Sequence, residues 1–280
     1  MLCYGSMVDL HTHSTHSDGF LDPAALLRFA REAGLTALAL TDHDTIGGLA
    51  EADAAAAEAG LRFIPGIEIE VAHTGGEFHL LGLGISGSRE RLEKTLDSLR
   101  RARTRRNLLI LERMQDDGVD VEYPEVEALA GGEIIGRPHF ARIMVAKGVV
   151  KSVDAAFQRF LKPGMPYHVP KESLGLRQAT DLIHSAGGKA VIAHPMSLGL
   201  SWWELPQRIK AYRDLGVDGL EAYHPGADRR ECRRLEKIAR SLGLLVTAGS
   251  DFHGPYMPGR RIGHSCDGLP IDDVFAAPFL

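Results

Sequence analysis

The segment DLHTHSTHSDG, residues 9–19, places three histidines and two aspartates in eleven positions. In an extended chain side chains alternate between faces, so His11 and His13 point one way and Leu10 and Thr12 the other. Two imidazoles side by side suggest a metal. Further candidate ligands follow along the chain: Asp18 in SDG, His43 in ALTDHDT, Glu68 in PGIEIE, His79 opening HLLGLG, His194 in VIAHP, and Asp251 with His253 in GSDFH. Imidazole mixed with carboxylate suits Mn, Fe or Zn, whereas an all-oxygen set would suit Mg or Ca. No thiolate takes part, so this is not a structural zinc site. Two or three close cations can ionise a bridging water at neutral pH and clamp both the attacking and leaving oxygens of a phosphoryl displacement. Hydrolysis of a phosphate ester is the natural reaction for such a set. Singly, each piece has an ordinary explanation, since H-x-H can be a core pair and SDG a turn. Their joint fall at predicted strand ends does not.

The elements that must position these groups are readable from periodicity. Asp22 and Pro23 are an N-cap and first-turn pair, AALLRFAREA follows with helical spacing, and Gly34 supplies a stop. Strand-like TALALT, a helix through AEADAAAAEA, the strand RFIPG and then FHLLGLGI come next. Strand and helix in alternation predict a parallel sheet. The rhythm breaks over residues 88–165, where RERLEKTLDSLRRARTRRNLLILERMQ, RPHFARIMVAKGVV and SVDAAFQRFL read as consecutive helices, an inserted helical subdomain. Alternation resumes through LRQATDLIHSAGG, KAVIAHP, WELPQRIKAYRDLG, GLEAYH, RECRRLEKIARSLG and LLVTAGSDFHG. About seven such units fit a closed or nearly closed β/α barrel, with residues 8–87 and 166–265 as its two parts and 266–280 as a tail. On such barrels catalytic groups converge at the C-terminal ends of the strands.

The 280 residues, 44% hydrophobic, suffice for one large core or a barrel with an insertion. A net charge of -5 leaves no global basic field to recruit nucleic acid or an anionic membrane, so any anionic ligand must be held locally. Cys3, Cys232 and Cys266 form no C-x-x-C pair and are odd in number, which favours a reducing compartment. With no basic start, no long apolar run and no membrane span, the chain reads as cytoplasmic.

In this order, HTHS with SDG, TDHDT, GIE, H-x-x-G-L-G, AHP and GSDFHG resemble the polymerase and histidinol phosphatase (PHP) family over residues 8–265. The helical insertion resembles the branch containing nucleoside 3',5'-bisphosphate phosphatases and 5'-to-3' exoribonucleases. The resemblance implies an α/β fold, a distorted seven-stranded barrel, with three metal ions, usually Mn2+, sometimes with Fe or Zn. Carried over, His11, His13, Glu68 and Asp251 would hold one ion, Glu68, His79 and His194 a second, and Asp18, His43 and His253 a third. Glu68 then bridges, and a bridging hydroxide would be the nucleophile.

GRPHFAR, residues 136–142, resembles a family segment that faces the metals, which makes Arg137 and His139 candidate substrate contacts. Arg137 could clamp a phosphate bidentately; helix capping and packing are the ordinary alternatives. His224 in EAYHPG follows a strand on the same rim and could bind substrate or donate a proton. His16, His73, His168, His184 and His264 match no ligand position and read as surface or packing residues. The five arginines of RRARTRR, residues 100–106, point in several directions on a helix and read mainly as a solvated face, with some able to guide an RNA tail. Relatives often carry a lysine where this chain has Met165; Lys162 is close enough in sequence to replace it.

The leading expectation is a phosphoesterase acting on a small nucleotide, foremost the 3'-phosphate of a nucleoside 3',5'-bisphosphate, with trimming of short RNA from its 5' end as a second activity. Neither a membrane nor an obligate protein partner is implied. A histidinol-phosphate phosphatase is the enzymatic alternative, disfavoured by an arginine-rich insertion because its substrate is cationic. A catalytically silent, metal-stabilised domain of a larger complex is the third reading; degenerate members should have lost ligands, and all nine are present.

Overall fold

A computed structural model describes residues 6–130, 135–257 and 259–280. Seven strands form one sheet in chain order: β1 (Met7–Asp9), β2 (Leu35–Leu40), β3 (Arg62–Glu70), β4 (His79–Leu83), β5 (Lys189–Ile192), β6 (Gly219–Tyr223) and β7 (Leu245–Ala248). Helices α1 (Pro23–Glu32) and α2 (Leu49–Ala59) connect the first three strands. Asp22 caps α1 by accepting the Ala25 N–H at 2.6 Å. The chain up to Lys94 together with Leu174–Leu280 makes one compact unit, and Thr95–Ser173 makes another.

The sheet is mixed, which corrects the parallel sheet that strand–helix alternation predicted. β4 pairs antiparallel with both β3 and β5. The reason lies in the connection: residues 71–78 join β3 to β4 with no helix, and a parallel crossover needs a dozen residues or more. The start of β4 therefore lies on the rim where the other strands end. Past β1 and β7 the sheet edges meet, with His13 N–H donating to Phe252 O at 2.9 Å, which nearly closes the barrel.

β2 shows how the strands divide their faces. Ala37 and Ala39 join Val8, Leu10, Ile64, Leu81, Val191 and Ala248 in one buried cluster, while Leu38 and Leu40 pack with Leu26, Leu27 and Ala52 of α1 and α2. Ile271 and Ala276 of the C-terminal tail complete the first cluster.

The second unit carries most of α3 (Glu90–Asp116), then α4 (Tyr123–Ala130), α5 (Arg137–Ala146) and α6 (Val153–Ala156), which runs into a π-helical turn at Phe157–Leu161. Its own core includes Ile110, Met114, Phe140, Met144, Leu161 and Tyr167. The arginine run fans out as expected. Arg106 is buried on the Asn107 amide oxygen, Arg100 pairs with Asp97, and Arg105 lies 3.9 Å from Glu172. Back in the first unit, α7 (Leu176–Ser185), α8 (Leu205–Asp214) and α9 (Arg229–Ser241) connect the remaining strands. Cys232 and Cys266 are free and buried; Cys3 lies outside the described residues.

β1 is anchored at Asp9, a fully buried carboxylate that the sequence reading passed over. It accepts N–H groups from His11 (3.2 Å), Ser250 (2.9 Å) and Gly263 (2.7 Å) and the Ser250 hydroxyl. Burial pushes its pKa up to about 6 against those four donors. Removing the acceptor would leave buried donors unpaired, at about 1–3 kcal/mol each. Asp9→Ala should therefore lose roughly 3 kcal/mol or more in denaturant unfolding. A loss under about 1 kcal/mol would mean that water replaces the carboxylate.

Candidate metal centre

The nine candidate ligands gather at one rim of the barrel unit. His11 and His13 follow β1, Asp18 lies in the next loop, His43 follows β2, Glu68 sits within β3, and His194, Asp251 and His253 follow β5 and β7. His79 opens β4 and reaches this rim because that strand is reversed. Three rim residues that are not glycine hold positive φ: Asp44 (50°), His194 (26°) and Asp251 (51°). Such strain costs about 1–3 kcal/mol each and persists where neighbours enforce it. Here Asp44 N–H donates to Glu68 O at 2.8 Å and His194 N–H to Glu221 Oε2 at 2.7 Å. Gly249 must be glycine, since an added Cβ would collide with His11 Cβ and Glu221 Oε1.

Glu68, with no exposed surface, is the hub. Its Oε2 lies 3.3 Å from Nε2 of both His11 and His13 and 3.1 Å from His43 Nδ1. Its Oε1 lies 3.1 Å from His79 Nδ1 and 2.9 Å from His194 Nε2, and those two nitrogens are 3.3 Å apart. Three groups of ligand atoms fall within 4.8 Å of one another: His11, His13, Glu68 and Asp251; His43, Glu68 and His79; and His13, Asp18, His43 and His253. The fit to cations shows in the buried atoms. Among the described residues, His11 Nε2, both His13 ring nitrogens and Glu68 Oε2 have no hydrogen-bond partner, although each is within a few ångströms of an oppositely charged group. A cation among them would relieve a desolvation cost that hydrogen bonds do not.

An outer ring of groups aims the ligands. His11 Nδ1 donates to Glu221 Oε1 (3.0 Å), His194 Nδ1 to the Ser197 hydroxyl (2.8 Å), and His253 Nδ1 to Asp251 O (2.9 Å). Each bond fixes the tautomer that leaves Nε2 as a lone pair facing the site. Asp42 accepts Ser14 N–H and the Ser14 and Ser17 hydroxyls, which pins the loop that carries Asp18. Glu221 and Asp42, like Asp9, were missed in the sequence; the available signal was an acid inside an otherwise apolar strand run or beside a rim histidine.

Protein charges set the proton load. Burial pushes His13 down, but Asp251 and Glu68 outweigh it and hold it up at about 10. Burial likewise opposes His11, which Glu221, Glu68 and Asp251 raise well above its ordinary value. Against burial, His43, His11 and His79 keep Glu68 well below the usual carboxylate range. Burial takes His43 down to about 4 despite Glu68.

A cleft of about 480 Å³ opens over the rim, walled by His43, His79, His194, Asp251 and His253 and by two further groups, His224 and Arg260. His224 is buried, and its Nδ1 accepts the Gly226 N–H at 2.9 Å. Arg260 Nη1 donates to Asp251 Oδ2. Arg137 and His139 belong to the helical unit. There Arg137 Nη1 reaches Leu161 O at 3.4 Å, and His139 Nδ1 accepts the Gly136 N–H at 2.9 Å at the start of α5. Lys162 bonds Gln158. Of the histidines read as packing, His184 pairs with Asp218 and His264 is buried on Ile262 O.

The family profile described as PHP domain matches residues 9–169. A 3',5'-nucleoside bisphosphate phosphatase from Chromobacterium violaceum is 36% identical over 272 residues, covering 94% of this chain and 93% of the relative. A 5'-3' exoribonuclease from Haemophilus influenzae is 36% identical over 247 residues, covering 88% and 90%. Among solved structures, a metal-dependent phosphoesterase from Bifidobacterium adolescentis superposes with a TM-score of 0.79 at 32% identity, covering 98% of this chain and 96% of that one.

Ligand imidazoles must be unprotonated, and His11 and His13 are both held high by neighbouring carboxylates. Loading chelator-treated protein with Mn2+ near neutral pH should therefore release more than about one proton per chain. Protons compete throughout the range below His13's value of about 10, so affinity should rise with pH. Calorimetric titration in two buffers of different ionisation enthalpy measures the release; affinity independent of pH would contradict this proton load.

Proposed function

The chain belongs to the PHP family and is a hydrolase of phosphoric ester bonds, and from that premise we infer that its substrate is a small nucleotide, foremost a nucleoside 3',5'-bisphosphate that loses its 3'-phosphate. Trimming of short RNA from the 5' end is the second activity, because relatives bearing both names match nearly the whole chain. One observation carries the reading: three ligand groups of histidine and carboxylate overlap beneath a single cleft, with Glu68 common to two of them. Neither a histidinol-phosphate phosphatase nor a silent domain is favoured by these relatives.

We assign His11, His13, Glu68 and Asp251 to one cation, Glu68, His79 and His194 to a second, and Asp18, His43 and His253 to a third. The donor set suits manganese, with iron or zinc as alternatives. When bound, such cations neutralise phosphoryl oxygens and make water a nucleophile at neutral pH. The protein's own part is orientation. Glu221, Ser197 and the Asp251 carbonyl hold His11, His194 and His253 in the ligand tautomer. Asp42 holds the Asp18 loop. In the helical unit, Arg137 and His139 are proposed contacts to the second phosphate, on the strength of the segment they occupy. No described helix is long and apolar enough to cross a membrane; the cytoplasm is our proposed location, from the odd count of thiols.

Phosphate release by the Mn2+-loaded protein over nucleoside mono- and bisphosphates, short RNAs and histidinol phosphate tests the reading. The bisphosphate should give the highest kcat/KM. Release from none of them would refute the hydrolase, and a preference for histidinol phosphate would refute the substrate. Arg137→Ala should lower kcat/KM for the bisphosphate roughly ten- to a hundredfold while sparing a generic aryl phosphate. Equal losses on both would put Arg137 on the transferred phosphate instead.

A further inference from the structure

Two groups in the cleft wall have hydrogen-bonding capacity that no ligand role uses. His224 Nδ1 accepts the Gly226 N–H, so in the neutral ring the proton must sit on Nε2. That Nε2 is buried and has no partner in the described residues. A neutral imidazole carrying its proton on Nε2 can donate a hydrogen bond through it and cannot ligate a cation there. Beside it, Arg260 is the only arginine or lysine lining the cleft among the described residues. Its guanidinium commits Nη1 to Asp251 Oδ2, while Nε and Nη2 make no hydrogen bond among the described residues. Asp251 turns its other oxygen, Oδ1, to within 3.4 Å of His11 Nε2 and 3.3 Å of His13 Nε2.

This arrangement fixes where an anion could lie. The guanidinium fork is rigid, and one amino group is already tied to a residue of the four-ligand group. An oxyanion on the remaining donors, in this cleft, would lie within the span of one guanidinium from that group. His194, whose ring centroid is 6.0 Å from that of His224, lines the same cleft. Donors of this kind, already in position and partly desolvated, match the non-bridging oxygens of a phosphoryl group.

We propose that His224 and Arg260 form an anion subsite that grips the phosphoryl group being transferred and holds it again as inorganic phosphate before release. The proposal rests on the phosphoesterase reading above and adds the two residues that would touch the phosphate from the protein side. Arg137, by contrast, is assigned to the second phosphate, so the two sites differ in which substrates they affect.

The test is direct titration of inorganic phosphate into Mn2+-loaded protein by calorimetry, which needs no turnover. Wild type is compared with His224→Ala, His224→Gln and Arg260→Gln, each with metal content measured by elemental analysis. The dissociation constant for phosphate should rise roughly ten- to a hundredfold in His224→Ala and in Arg260→Gln. His224→Gln, which restores an N–H donor, should recover part of the loss. In His224→Ala the metal content should equal that of wild type, since His224 is no ligand. Phosphate binding unchanged in His224→Ala at full metal content would overturn the subsite, as would a wild type that hydrolyses esters yet binds no phosphate. If Arg260→Gln sheds metal, its pairing serves Asp251 and the His224 variants alone decide. Failure of the phosphoesterase reading is seen separately, as absence of phosphate release from every ester offered to wild type.

Discussion

A carboxylate with no exposed surface must find positive charge close by, and Glu68 is surrounded by five imidazoles at 2.9–3.3 Å. Burying such a charge unpaired would cost several kcal/mol, so those five side chains have to converge on it. They come from three strand ends, β1 supplying two of them, and one strand start. A wholly parallel sheet would carry the opening residue of β4 to the opposite end of the barrel. The hairpin-like link of residues 71–78 reverses that strand and delivers His79 to the shared rim. The one reversed strand of the sheet is thus tied to the demand made by a fully buried acid.

Convergence alone would leave the imidazoles free to rotate, and the outer ring prevents it. Glu221 uses one oxygen on His11 Nδ1 and the other on the backbone N–H of His194, so it links two separate ligands. Asp9 ties the segment after β1 to Ser250, directly before the strained Asp251. Strain at His194 and Asp251 is therefore enforced by the same buried acids that orient the site. The rim gives up some stability to fix its geometry, a pattern common at functional sites.

Much of this was legible in the sequence because the relevant signals are local. His11 and His13 share a face through the alternation of an extended segment just past β1, Asp22 and Pro23 mark the start of α1, and the strand ends carry the candidate ligands that the barrel gathers. What escaped was relational. Glu221 lies in the apolar run GLEAYH, and nothing in that run says its partners are 210 and 27 positions away. Asp42 sits beside the noticed His43 yet serves the Asp18 loop, a contact set by tertiary packing. The reversed β4 was within reach, since eight residues cannot span a parallel crossover; the strand–helix rhythm of the rest of the chain overrode it.

Histidine type by itself does not separate candidate ligand from donor here; for rings that turn Nε2 to the rim, the group facing Nδ1 does. Where Nδ1 meets an acceptor, as at His11, His194 and His253, the proton stays there and Nε2 is left as a lone pair for a cation. Where Nδ1 meets a backbone N–H, as at His224, the proton moves to Nε2 and the ring becomes a donor. His139 at the start of α5 follows the second pattern through Gly136. A proton on Nδ1 is neither sufficient, since His264 has it through Ile262 O, nor required, since His43 and His79 turn Nδ1 itself to Glu68. What sets the candidate site apart is the carboxylate hub, and only the rim around Glu68 gathers imidazoles on one among the described residues.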